Sequence, residues 1–123
     1  MKLASVRLVT HDLDRLAGFY AMLTEVPATR LTPDFAEIRL DGAVLALSTE
    51  RPIQLFNAGA AIAAANRSAI FEFQVDGVDA LYQRLGSTVE CVMPPSDMPW
   101  GNRSLLLRDP DGNLVNVFSK PGA

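Results

Sequence analysis

The sequence predicts an α+β fold in which two tandem β-α-β-β-β units form a curled mixed sheet around a cleft. Two observations support this prediction. Apolar residues at helical spacing occur twice, starting at Leu13 and again, 65 residues later, at Val78. Each half then closes with two strand-like segments joined by an Asp-Gly turn, and the turn glycines Gly42 and Gly112 lie 70 residues apart. Repetition of this kind indicates the architecture, because each unit repeats the same supersecondary plan.

The elements of the first half follow from its patterns in order. The alternating segment LASVRLVT predicts a first strand, and Asp12 is expected to cap the helix that follows. The apolar face of that helix is predicted to contain Leu13, Leu16, Ala17 and Tyr20. The segments FAEIRL and AVLALS then predict two strands on either side of Asp41 and Gly42.

The second half repeats the plan and completes the predicted domain. AIFEFQV predicts a strand, and Val78, Leu81, Tyr82 and Leu85 predict a helix. VECVM predicts another strand, and SLLLR and NLVNVF flank Asp111 and Gly112. We therefore predict a single domain, 1–123, made of pseudo-repeats at about 1–50 and 67–120 joined by a connector at 51–66 that contains a helical turn.

Composition limits the classes of partner. The 123 residues carry a net charge of -3 and are 49% hydrophobic, which is ordinary for a soluble globular domain and gives no basic field for nucleic acid or membrane. No apolar run approaches the length of a membrane span, and the N-terminal segment becomes polar too early for a signal peptide, so a cytoplasmic location is expected. Cys91, within VECVM, is expected to be a reduced, packed thiol.

Four positions are equivalent between the halves and are expected to face the cleft. Ser5 and Ile70 stand nine residues before the two helix-start aspartates, and Ala46 and Asn116 stand four residues after the two hairpin glycines. Strand alternation places neighbours two residues away on the same face.

Both units, the helix start DLDRLAGFY, the helix VDGVDALYQRL and the closing segment WGNRSLLLRDPDGNLVNVFS resemble the vicinal oxygen chelate superfamily. That superfamily includes glyoxalase I, extradiol dioxygenases, fosfomycin-resistance enzymes and bleomycin-resistance proteins, and the resemblance covers essentially the whole chain. In the metal-using members these four positions carry His or Glu ligands of a divalent ion. The resemblance also implies a homodimer, which would cover the exposed sheet edges.

The residues at these positions do not make a transition-metal site. Ala46 and Ile70 have no donor atoms, Ser5 is a poor ligand, and the neutral amide of Asn116 serves only as a helper for hard ions. The single histidine, His11, lies at a strand-to-helix turn, where an exposed or capping role is expected. We therefore predict no metal and no cofactor.

The predicted cleft is mostly apolar and suits a small organic ligand with one polar group. Pairing of Arg108 with Asn113 would place Asn116 opposite Leu105 and turn Arg103, Leu105 and Leu107 inward, with Trp100 at the cleft mouth. The predicted ligand-binding residues are Ser5, Arg7, Ala46, Ser48, Ile70, Glu72, Trp100, Arg103, Leu105 and Asn116.

Several of these residues have a structural alternative. Arg7 and Glu72 would neutralise each other, and Asn116 would only bond a neighbouring strand or loop. Arg103 would hold the loop PPSDMPW or pair with Asp97. Trp100 would anchor that loop against the core.

Three functions fit these observations, and the fold alone does not separate them. The first, favoured by the missing ligand set, is a metal-free protein that sequesters a small organic ligand or drug. The second is an enzyme without the usual metal, a lyase or isomerase on a carbonyl compound, with Glu72 as the general base and Arg7 or Arg103 stabilising an oxyanion. The third is a non-catalytic interaction module.

Overall fold

The chain folds as two compact units, Met1–Ala65 and a second unit that starts at Asn66, in a computed structural model that describes residues 1–122. Ala123, which the predicted domain range includes, lies outside the described residues. Most of the predicted connector 51–66 falls in the first unit, where the Ala64 N–H donates to the Val9 carbonyl oxygen at 3.0 Å. The single-domain organisation with its pseudo-repeat boundaries stays a prediction.

The first unit has the predicted β-α-β-β-β order followed by a short helix. Its elements are β1 (Val6–Val9), α1 (Leu13–Thr24), β2 (Thr29–Thr32), β3 (Phe35–Leu40), β4 (Ala43–Ser48) and α2 (Glu50–Phe56). The sheet order is β1-β4-β3-β2, with β1 parallel to β4 and the other pairs antiparallel. The four-residue strand β2 is exposed throughout and has no apolar alternation, so no sequence pattern singled it out.

The second unit repeats this order without a closing helix. Its elements are β5 (Ile70–Gln74), α3 (Val78–Leu85), a 3₁₀ turn (Gly86–Thr88), β6 (Glu90–Asp97), β7 (Arg103–Arg108) and β8 (Leu114–Ser119). The sheet order is β5-β8-β7-β6. The α+β class is confirmed, with two four-stranded mixed sheets where the sequence predicted one curled sheet. No helix within residues 1–122 is long and apolar enough to cross a membrane.

Helix α1 covers one face of the first sheet. Its predicted cap is confirmed, because Asp12 Oδ1 accepts a hydrogen bond from the Arg15 N–H at 3.1 Å. Leu16 and Tyr20 on its inner side are fully buried, as are Ile38 and Leu47 on the strands. Full burial of each such side chain contributes roughly 1.5–3 kcal/mol, so this layer is the main source of stability in the unit.

Helix α3 covers one face of the second sheet, and two polar contacts fix it there. The Val78 N–H donates to Ser119 Oγ at 3.0 Å, and Arg103 forms an ion pair with Asp79. Ser119 and Arg103 are cross-strand partners, so they share a face of the sheet. In each sheet, we call the face that the long helix covers the helix face. We call the opposite face the far face. The fully buried residues on the second helix face are Leu105, Leu107, Val115 and Val117.

The last hairpin corrects the predicted register. Arg108 pairs with Leu114 and not with Asn113, so Asn116 stands opposite Leu106. The loop is shorter than expected: the Asp109 N–H bonds the Asn113 carbonyl oxygen at 3.0 Å, so only residues 110–112 lie between this pair. Pairing of Arg108 with Asn113 would have left residues 109–112 in the loop. A shift of one residue moves a side chain to the other face of a strand. Leu105, Leu107 and Arg103 therefore lie on the helix face, and their predicted place on the cleft wall is wrong.

The predicted packing of Cys91 is also wrong. Cys91 is exposed, because β6 is an edge strand of the second sheet and the pairing of β6 with β7 is irregular after this residue. The apolar neighbours in VECVM suggested a core position, but Val92 is itself 48% exposed. Sequence hydrophobicity alone does not distinguish a central strand from an edge strand.

Candidate functional site

The far face of the second sheet brings together polar and apolar side chains from its four strands. Parallel pairing of β5 with β8 sets Glu72 beside Asn116, and antiparallel pairing of β7 sets Leu106 on the other side of Asn116. The other residues that pair into this face are Ile70, Gln74, Leu114, Phe118, Ser104 and Arg108, together with Glu90, Met93 and Ser96 of β6. Ile70 is 51% exposed and Glu72 is exposed, so the face is accessible in this unit.

Asn116 and Glu72 form the polar centre of this face. Asn116 Nδ2 donates a hydrogen bond to Glu72 Oε2 at 2.9 Å, so Asn116 does bond a neighbouring strand, as its structural alternative expected. Because an ionised carboxylate only accepts, the amide nitrogen must point at Glu72 and the amide oxygen must point away. Asn116 Oδ1 is buried and has no hydrogen-bond partner within residues 1–122.

The far face of the first sheet is less accessible. Arg7 pairs with Ala46 and Val9 with Ser48, which places these side chains on one face as predicted. Ala46 is only 3% exposed and Ser48 is fully buried, and Ser48 Oγ has no hydrogen-bond partner within residues 1–122. Their predicted contact with a ligand therefore lacks an open surface in this unit.

Arg7 and Ser5 differ from these two buried residues. Arg7 Nη2 donates to Asn57 Oδ1 at 2.7 Å, so the guanidinium is held by the residue that ends α2. Ser5 is exposed and precedes β1. Arg7 thus has a partner within its own unit, as Glu72 has in Asn116.

Arg103 is a structural residue on the helix face of the second sheet. Its Nε and Nη2 contact Asp79 Oδ2 and Oδ1 at 2.8 and 3.0 Å, and its Nη1 contacts Asp97 Oδ1 at 3.1 Å. The predicted alternative, a pair with Asp97, is confirmed. These carboxylates raise the pKa of Arg103, and hydrogen bonding from the guanidinium lowers the pKa of Asp79. The three residues line an open cavity of about 240 Å³ together with Ser119 and Lys120.

The ion pair of Asp79 predicts a pH-dependent contribution to stability. Because its pKa is lowered on folding, the carboxylate stabilises the protein above the ordinary aspartate pKa of about 3.9, and this contribution disappears as the pH falls through the lower folded-state value. We expect Asp79→Asn to lower the melting temperature at pH 7 by a small amount, since the pair is solvent-exposed. The difference from the wild type should shrink below about pH 4.

Melting curves from pH 7 to pH 2 check this expectation. Asp76→Asn is the matched control, because it removes the same charge from an exposed carboxylate that forms no ion pair within the described chain. A difference between Asp79→Asn and the wild type that stays constant down to pH 2 would show that Arg103 does not stabilise the ionised form.

The loop between β6 and β7 leaves Trp100 in solvent. Trp100 is 69% exposed, and the turn around it is closed by a hydrogen bond from the Gly101 N–H to the Met98 carbonyl oxygen at 2.9 Å. The alternative in which Trp100 anchors this loop against the core is therefore wrong. Its place at the mouth of a ligand site stays a prediction.

The donor set on these faces does not fit a divalent transition metal. His11 has a side chain 72% exposed and lies 3.3 Å from Glu50 Oε1, which confirms its exposed role. Within residues 1–122 no three His, Cys, Asp or Glu side chains are grouped as a metal site would require. At the centre of the second far face Glu72 and Asn116 are neighbouring oxygen donors, and two such residues are fewer than a metal shell needs.

These elements place the chain in a known class of fold, and comparison with known proteins supplies the family. A model described as Glyoxalase/Bleomycin resistance protein/Dioxygenase superfamily matches residues 2–117. The chain belongs to this superfamily.

One relative and two solved structures are similar to this chain over most of its length. The uncharacterised protein YraH of Bacillus subtilis (strain 168) is 26% identical over 125 residues, covering 96% of this chain and 98% of YraH. A glyoxalase/bleomycin resistance protein/dioxygenase from Nocardioides has a TM-score of 0.80 at 25% identity, covering 100% of this chain and 85% of that one. A glyoxalase-related enzyme from Fulvimarina pelagi has a TM-score of 0.82 at 22% identity, covering 98% of this chain and 88% of that one.

Two ion pairs, one in each unit, were not predicted from the sequence. The helix-start aspartates Asp14 and Asp79 each bind an arginine on their sheet, Arg30 on β2 in the first unit and Arg103 on β7 in the second. The equivalent positions of the two aspartates in the repeat were the one sequence feature that pointed to these pairs. The two arginines lie on non-equivalent strands, so the repeat did not indicate them.

Proposed function

We propose that this protein is a metal-free small-molecule-binding protein that holds an organic ligand on the far face of its second sheet. The observation that carries the proposal is the accessible group of Glu72 and Asn116 surrounded by Ile70, Leu106 and Leu114. An apolar surface with a few convergent polar groups is the usual make-up of a ligand site. The donor set argues against metal chemistry, and superfamily membership is compatible with binding as well as with catalysis.

The alternative, a lyase or isomerase without the usual metal, has weaker support. Arg103 lies on the helix face and is bound by two aspartates, so it is not placed to stabilise an oxyanion beside Glu72. Glu72 accepts one hydrogen bond from Asn116, and its other carboxylate oxygen is left to act as a general base. If a carbonyl substrate turns over, Glu72→Gln should abolish turnover and leave binding largely intact. The non-catalytic interaction module requires that no small molecule binds.

We also propose an oligomeric state, a cellular location and a class of partner for the protein. It acts as a homodimer in the cytoplasm, with a small molecule as its ligand and without nucleic acid or membrane as partners. The exposed edge strands, which a second copy would cover, and the net charge of -3 are the features that favour this setting.

A thermal-shift screen on chelator-treated protein tests the proposed function. The panel contains antibiotics, aromatic acids, alcohols and amines, and we expect at least one compound to raise the melting temperature, since a ligand that binds only the folded state stabilises it. Ile70→Ala should weaken binding of the hit by about tenfold, because it removes apolar contact area. Leu31→Ala is the matched control, since Leu31 is 53% exposed, close to the 51% of Ile70, but lies on β2 of the first unit.

Two results would contradict the proposal. One is a divalent transition metal bound at full occupancy in the purified protein, measured by elemental analysis. The other is a hit whose affinity falls as much with Leu31→Ala as with Ile70→Ala, since that ligand would not depend on the far face of the second sheet.

A further inference from the structure

The buried oxygen of Asn116 is the most unusual feature of the proposed binding face. Asn116 Oδ1 is fully buried and unpartnered in the described chain, and the carboxylate of Glu72 prevents the amide from turning over to exchange its oxygen for nitrogen. A buried acceptor without a donor destabilises the folded state unless something supplies the missing hydrogen bond. The position therefore requires a hydrogen-bond donor from water or from a ligand.

Glu72 adds a second acceptor and a negative charge next to that oxygen. Only its Oε2 is bonded to Asn116, and Oε1 makes no hydrogen bond within residues 1–122. The one cation on the same face is Arg108, which lies at the hairpin end and whose Nη1 donates to the Gly112 carbonyl oxygen at 3.1 Å. Arg108 is engaged with its own turn, so it leaves the charge of Glu72 available to a ligand.

The surrounding residues define the rest of the ligand. Ile70 and Leu114 pair with each other on one side of the polar centre, Phe118 stands two residues from Asn116 on the other, and Leu106 faces Asn116 across the strands. A fully aqueous ion would leave these apolar side chains uncovered. Calcium or magnesium would need about six oxygen ligands, and Glu72 with Asn116 supplies only a fraction of them.

We propose that the ligand is an organic cation, a protonated amine or amidine carried by an apolar body, whose N–H groups bond Asn116 Oδ1 and Glu72 Oε1. This inference rests on the proposed function and specifies its substrate class. A cationic donor forms charge-assisted hydrogen bonds with the carboxylate, whereas an anionic ligand would be repelled by the charge of Glu72. The apolar body covers Ile70, Leu106 and Leu114.

Three probes of similar size and different charge test whether the ligand is an organic cation. Phenethylamine is cationic at pH 7, 2-phenylethanol is a neutral donor, and phenylacetate is anionic. We expect phenethylamine to bind chelator-treated protein about tenfold more tightly than 2-phenylethanol, with phenylacetate weakest, as measured by NMR titration. Glu72→Gln should abolish the preference for the amine and change the affinity for the alcohol by about twofold or less. Asp76→Asn, which removes the same charge outside the face, should keep the preference.

Asn116→Leu tests the Asn116 amide. It removes the unpartnered acceptor together with the hydrogen bond to Glu72 and keeps a similar volume, so both phenethylamine and 2-phenylethanol should bind more weakly, by about tenfold. Circular dichroism and the melting temperature establish that the variant is folded. If the variant does not fold, the Glu72→Gln comparison still decides the class.

The outcomes separate this inference from the proposed function. If phenylacetate or 2-phenylethanol binds as tightly as phenethylamine, the cation class is wrong and a binding face remains. If the only panel compounds that bind are neutral or anionic, the cation class is also wrong. If neither the probes nor the panel bind, the proposed function and this inference both fail.

Discussion

Leu105→Ala should destabilise the protein by about 3 kcal/mol, within the 2–5 kcal/mol range for deleting a buried leucine. Leu105 is fully buried on the helix face of the second sheet, where it lies in the layer covered by α3. Truncation removes apolar contacts and leaves a cavity that a sheet packed against a helix closes only in part. Urea unfolding followed by circular dichroism measures the change in the free energy of unfolding.

Leu106→Ala is the matched control for this prediction. Leu106 is the next residue on the same strand, is only partly buried and lies on the far face beside Asn116. Its truncation should cost about 1 kcal/mol or less in stability and should weaken ligand binding instead. The opposite pattern, a large loss for Leu106→Ala and a small one for Leu105→Ala, would show that the register with Arg108 paired to Asn113 holds and that the faces are exchanged.

Asp109→Ala should destabilise the protein by a similar amount, about 3 kcal/mol. Asp109 is 4% exposed, and its carboxylate accepts hydrogen bonds from the N–H groups of Asp111 and Asn113, both at 2.9 Å, and from Asn113 Nδ2 at 2.7 Å. Asn113 Oδ1 in turn accepts from Asn66 Nδ2 at 2.8 Å, so the same cluster attaches the start of the second unit to the last hairpin. Removal of the carboxylate leaves several donors without partners.

The control for Asp109→Ala is Asp41→Ala in the first hairpin. Asp41 occupies an exposed two-residue turn in which Leu40 pairs directly with Ala43. We expect Asp41→Ala to change the free energy of unfolding by about 0.5 kcal/mol or less. If both variants lose the same free energy of unfolding, the hydrogen bonds of Asp109 contribute no more to stability than the side chain of an exposed turn residue does.

Most of the fold prediction was based on the internal repeat. Apolar spacing indicated α1 and α3, and the Asp-Gly turns indicated β3–β4 and β7–β8. The main error, the predicted pairing of Arg108 with Asn113, also arose at an Asp-Gly turn. The same dipeptide closes a two-residue loop at Asp41 and a longer loop at Asp111. The difference depends on the Asp109 carboxylate and its bonds to the turn, which the short-range pattern does not reveal.

The residues of the candidate site could be predicted only in part, because strand alternation indicates which residues share a face but not whether that face is covered. Strand alternation correctly grouped Ile70, Glu72 and Asn116, since parallel pairing preserves the two-residue period. It did not indicate that Ala46 and Ser48 are buried, because burial depends on what covers a face and not on the alternation within it. Nor did it indicate the unpartnered Asn116 Oδ1, which follows from the side-chain bond to Glu72.

Methyl NMR of the chelator-treated protein, titrated with the best compound of the thermal-shift screen, tests the central claim most directly. We expect the methyl resonances of Ile70, Leu106 and Leu114 on the far face to shift, while those of Leu105 and Leu107 on the helix face stay nearly unchanged. Shifts confined to Leu105 and Leu107, or binding that appears only after a divalent metal is restored, would contradict a metal-free ligand site on the far face of the second sheet.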